Sequence, residues 1–80
     1  MFRTLVKTQA LAVDNRTYAV HYFELRTLRG GRRYSAELSL GPDDRIILDD
    51  DSITNLETKA TRLVPATVYS RLLAGKATAA

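Results

Sequence analysis

Residues 17–41 read TYAVHYFELRTLRGGRRYSAELSLG, and the way this stretch folds back on itself decides the fold. Its first part, Thr17 to Arg29, carries side chains that favour a pleated surface: Tyr18, Val20, Tyr22, Phe23 and Thr27. Gly30-Gly31 follows. It is a two-residue hairpin signal, because a type I′ turn needs φ > 0 at both central positions. Arg33 to Leu40 then alternates, with Tyr34, Ala36, Leu38 and Leu40 on one face and Arg33, Ser35, Glu37 and Ser39 on the other. A tight turn at Gly30-Gly31 pairs Leu28 with Arg33. It then sets Phe23 against Leu38, Leu25 against Ala36 and His21 against Leu40 on a core face. Tyr18, Val20 and Tyr22 fall on the opposite face.

Outward from the hairpin, Phe2 to Val13 lacks Gly and Pro and reads as a strand, and Asp14-Asn15 is a turn signal. On the other side, Gly41-Pro42-Asp43-Asp44 is a turn and Arg45 to Leu48 a short strand. From Ser52 the period changes. Ile53, Leu56, Ala60, Leu63 and Val64 lie on one face of a helix. Ser52 or Asp51 is placed to cap its free amides, and Asp49 to Asp51 sit at the positive end of its dipole. Pro65 predicts a kink or break. Beyond it Val68, Tyr69, Leu72 and Leu73 form the apolar face of a second helix, with Gly75 at its end. The expected fold is α+β: a mainly antiparallel three- to four-stranded sheet in β-β-β-β-α order. A C-terminal helical segment packs on one face. Residues 1–75 form a single domain and 76–80 a frayed tail.

Composition narrows the function. With 80 residues and 45% hydrophobic side chains, the chain is a small globular domain rather than a disordered tail. The absence of Cys excludes a disulfide framework, a thiolate zinc site and a Cys nucleophile. No apolar run reaches the roughly 20 residues of a membrane span. MFRTLVKTQALAV is broken by Thr, Lys and Gln and does not read as a signal peptide, so a cytoplasmic protein is expected. The Asp-rich stretch GPDDRIILDDDS misses the spacing of a calcium loop and is read as a turn followed by a helix start, with no metal. His21, the one histidine, is read as a partly buried core residue. No hydrolase, metalloprotease or nucleotide-binding motif occurs, so neither catalysis nor a cofactor nor a small-molecule substrate is expected.

The net charge of +3 is segregated: +5 over residues 1–33, −6 over 34–57 and +4 over 58–80. One reading is that these blocks neutralise each other within the fold. The other is that Arg26, Arg29, Arg32 and Arg33 serve an anionic partner, with Tyr18 and Tyr22 behind them as stacking surfaces. The function expected is a non-catalytic macromolecular-binding module. Its partner is a protein, including a second copy of itself, met through Tyr18, Val20, Tyr22 and Leu28. The alternative is nucleic acid met through the Arg hairpin.

Overall fold

The computed structural model describes the backbone of residues 3–79 and the side chains of residues 3–74; Phe2, assigned to the first strand, and Ala80, assigned to the tail, lie outside the described residues. The element order is β1 (Arg3–Val13), β2 (Arg16–Arg26), β3 (Arg32–Gly41), β4 (Asp44–Asp50) and α1 (Ile53–Ala79). The strands form one antiparallel meander in the order β1-β2-β3-β4. The helix packs on one face of it, as the α+β reading expects.

Turn chemistry explains the connections. Asp14 and Asn15 both have positive φ, 51° and 65°, the conformation of a two-residue type I′ turn. It pairs Val13 with Arg16, Leu11 with Tyr18 and Gln9 with Val20. One irregularity follows at Leu5/Lys7, where Val6 is the extra residue of a bulge. Lys7 stays on the helix side opposite Tyr22, and the bulge moves Leu5 to the other face, opposite Phe23. The last turn, Gly41 to Asp44, is closed around Pro42-Asp43, and Pro suits the first central position.

The β2–β3 hairpin differs from expectation. Its pairs are Tyr22 with Ala36, Glu24 with Tyr34 and Arg26 with Arg32, three residues out of step with the two-glycine register. The cause is the loop. Of the two glycines only Gly30 has positive φ (79°), and Gly30 N–H donates to the Thr27 carbonyl at 3.0 Å. Thr27 N–H bonds the Gly31 carbonyl at 2.9 Å, and Gly31 N–H donates to Thr27 Oγ1 at 3.0 Å. Leu28, Arg29 and Gly30 thus form a three-residue loop ending in a left-handed glycine. An odd shift turns every β2 side chain to the other face. Tyr22 and Val20, expected on the outer face, are 0% and 1% exposed beneath the helix. Tyr18 is half-buried against the same core. Phe23, Leu25 and His21, expected inside, lie on the uncovered face.

The core joins Val13, Val20, Tyr22, Ala36, Leu38 and Ile46 of the sheet to Leu56, Ala60, Val64 and Val68 of the helix. Ile53 and Leu72 extend that helical stripe at both ends. Because the stripe stays in phase across Pro65, the segment read as two helices is one, continuous through Pro65 and past Gly75. Leu63, Tyr69 and Leu73, assigned to the buried face, are 37%, 52% and 49% exposed along the stripe's margins.

This register reverses the cost of two neighbouring truncations. Tyr22→Ala is expected to lose about 3–5 kcal/mol in chemical denaturation, the range for emptying a large aromatic site. Phe23→Ala, removing a half-buried ring, is expected to lose clearly less. The opposite order would restore the two-glycine register.

Candidate functional site

Most of the segregated charge is spent inside the fold. Arg33 reaches Asp51 Oδ1 at 2.6 Å and Asp49 Oδ2 at 3.4 Å. Lys59 bridges Asp50 at 2.8 Å and donates to the Asp49 carbonyl at 3.3 Å. Arg71 grips Asp44 through Nε and Nη2, both at 3.0 Å. Lys7 pairs with Glu57, tying β1 to the helix. The three consecutive aspartates therefore have separate tasks, two on Arg33 and one at the helix start. Asp50 Oδ1 accepts the Ser52 N–H at 3.0 Å, while Ser52 Oγ accepts Asn55 N–H at 3.3 Å, so Ser52 is the cap. The hydrogen bond from Lys59, then that from the Ser52 backbone, holds the Asp50 carboxyl below the usual carboxylate range.

The face of the sheet opposite the helix is the first candidate surface. At its centre the Glu37 carboxylate is held between two guanidinium groups. Arg3 pairs with Oε2, and Arg45 lies 4.0 Å from Oε1. Arg3 also stacks 3.8 Å over the Phe23 ring, a cation–π contact. His21 lies across from Glu37 on β2, solvent-exposed, with Nδ1 3.0 Å from Thr8 Oγ1, and not in the core beside Leu40. The hollow among Arg3, His21, Phe23, Glu37 and Arg45 measures about 180 Å³. That is below the roughly 300–1,000 Å³ of small-molecule pockets. Around this centre lie Leu5 and Ile47, 54% and 59% exposed, with Leu25 half-buried. The arrangement is a surface with an apolar rim and a mixed-charge middle.

The β2–β3 tip is the second candidate surface. The four arginines singled out there do not act as one group. Arg33 points to the open face and is committed to Asp49 and Asp51. Arg26 lies 3.6 Å from Glu24. Arg29 and Arg32 have no acidic partner among the described residues, and Leu28 between them and Arg26 is fully exposed. Of the side chains expected to meet a protein partner, Val20 and Tyr22 are consumed by the core, Tyr18 is half-buried, and Leu28 alone is free. Leu5 and Ile47 belong to no site expected from the sequence, and Phe23 and Leu25 are expected there in the core and not on a surface. The signal that points to them is the Asp14-Asn15 turn, which sets the even residues of β2 inward and the odd ones outward.

No protein-family model, curated protein or solved structure gives a significant match to this chain. Among the described residues, no helix is long and apolar enough to cross a membrane.

Ser52→Ala is expected to cost about 0.5–2 kcal/mol, the range for a lost N-cap. The Asp50 carboxyl is depressed in the folded state. Its stabilisation is therefore present above the unfolded carboxylate range and disappears as pH falls through the folded value. Asp50→Asn should flatten that acid loss in denaturation midpoints compared between neutral and acidic pH. An unchanged acid profile would remove Asp50 from the account.

Proposed function

We propose that this chain is a non-catalytic macromolecular-binding module that self-associates through the open face of its sheet. The observation that carries the reading is the open face itself, where Leu5 and Ile47 are 54% and 59% exposed around the half-buried Phe23 and Leu25. Apolar side chains gathered on an uncovered face mark an interaction surface.

A second copy suits this face for two reasons. A two-fold interface sets one patch against itself, so the patch must be self-complementary. Arg3, Arg33 and Arg45 stand beside Glu37 and Asp49, so cations of one copy have carboxylates of the other within the same patch. Leu5, Phe23, Leu25 and Ile47 add the apolar area that such charges alone do not supply. The helix offers less, since its exposed Tyr69 and Leu73 form a narrow row.

Leu5→Ser combined with Ile47→Ser tests the reading. Both side chains are more than half exposed in the protomer, so the fold should change by no more than about 0.5 kcal/mol for each. Sedimentation should show a dimer for the native chain at high micromolar concentration and a monomer for the variant. A native chain that stays monomeric there refutes the proposal.

A further inference from the structure

The geometry points to the β2–β3 hairpin as a two-stranded ribbon that enters the major groove of B-form DNA, with Arg26, Arg29 and Arg32 as its contacts. This is independent of what meets the open face.

The first support is an opposition that the fold does not resolve. Arg26 and Arg32 are direct cross-strand partners. By the two-residue alternation they leave the same face as Tyr22 and Ala36. Like charges placed opposite each other destabilise a sheet. Only Glu24 offsets them, from 3.6 Å and to Arg26 alone. Arg29 adds a third guanidinium at the turn with no acidic partner among the described residues. Elsewhere Arg3, Arg33, Arg45 and Arg71 each meet a carboxylate, while Arg16 on β2 and Arg62 on α1 have none among the described residues. Here the chain gathers three and supplies one. Phosphate oxygens would complete the set, and guanidinium forks suit them.

The second support is shape. Pairing between β3 and β4 ends at Tyr34 and Asp50, and the described pairing of β1 with β2 reaches Leu25. On the β4 side the ribbon from Arg26 to Arg32 therefore extends past the pairing with the neighbouring strand. Three residue steps on each arm give it a reach of about 10 Å. The major groove is about 8.5 Å deep, about 12 Å wide, and admits such a ribbon. Leu28 is 100% exposed at the apex, where an apolar side chain meets base edges such as the thymine methyl. A bilayer fits less well, because a single apolar side chain among cations is too little to hold it. Double-stranded RNA presents a deep, narrow major groove that excludes the ribbon.

The test is a titration of the full chain with mixed-sequence DNA duplex across a range of salt. Three phosphate contacts per hairpin predict a log–log slope of about −2.7. Arg29→Ala with Arg32→Ala should cut that slope to about one third. Arg16→Ala with Arg62→Ala, which removes two other arginines outside the hairpin, should leave it near the native value. Arg32→Thr alone should weaken binding yet raise the melting temperature of the free protein at low salt, because it relieves the opposition with Arg26. Equal binding of RNA duplex or single strands, binding to anionic vesicles in place of DNA, no DNA binding at low salt, or equal losses in the two double variants would each overturn the proposal.

Discussion

The Tyr22 hydroxyl donates to Gln9 Oε1 at 2.7 Å, and the rest of the structure depends on that bond. A phenol taken wholly out of water must find a partner for its hydroxyl, or the burial of its ring is offset by an unmade hydrogen bond. Gln9 sits on β1 at the position that supplies it once the Asp14-Asn15 turn has set the pairing. The same geometry brings Lys7 Nζ to 5.2 Å from the ring centre, and Lys7 in turn pairs with Glu57 of the helix. Burial, with Glu57 adding to it, pushes the phenol up from its ordinary value and so keeps it a donor. One side chain thus fixes the face of β2, the register of β1 and the seat of the helix's first turns.

The electrostatics follow from that seat. With α1 laid across the even face of β2, Lys59 falls on Asp50 and Arg71 on Asp44, at opposite ends of β4. Six of the seven carboxylates of residues 34–57 meet cations from the flanking blocks. Each pair is partly exposed, so each contributes little alone. Together they cancel a segregated charge that would otherwise repel along both halves of the chain. Among the described residues the pairing leaves out Asp14, Arg16, Asp43 and Arg62 on four separate elements or turns, and Arg29 and Arg32 together at one hairpin. The hairpin tip keeps its excess.

Element order and most turns were legible from residue chemistry. Asp14-Asn15 tolerates positive φ, Gly41-Pro42 forbids continuation, and Ser52 followed by a 3.6-residue period announces the helix. The β2 face was not legible from the hairpin alone. Tyr18, Val20 and Tyr22 on one parity rival His21, Phe23 and Leu25 on the other, so hydrophobicity breaks no tie. Two adjacent glycines are compatible both with a two-residue loop and with a three-residue loop ending in glycine, and those differ by an odd number of residues. The β1–β2 turn carries the missing information, since it sets Leu11 and Val13 on the side of Tyr18 and Val20. The open surface was obscured for the same reason. Its members are the odd residues of β2, and their neighbours on β1 change parity at the Val6 bulge.

The bulge also bears on how copies of the chain would meet. β1 is an eleven-residue edge strand without proline, and a long flat edge invites pairing that does not stop at two chains. Val6 interrupts its ladder and increases its twist, and Lys7 follows at once. Both are devices that blunt an edge. On the open face the opposite holds: Leu5 and Ile47 are more than half exposed, and the Arg3 guanidinium lies over the Phe23 ring. A cation over an aromatic ring keeps that ring tolerable in water, while the charge stays hydrated at its rim. Edge growth is open-ended, whereas two faces meeting across a two-fold axis close on themselves. Under the proposed self-association, a disrupted edge and a face with exposed apolar side chains favour the closed arrangement over the open-ended one.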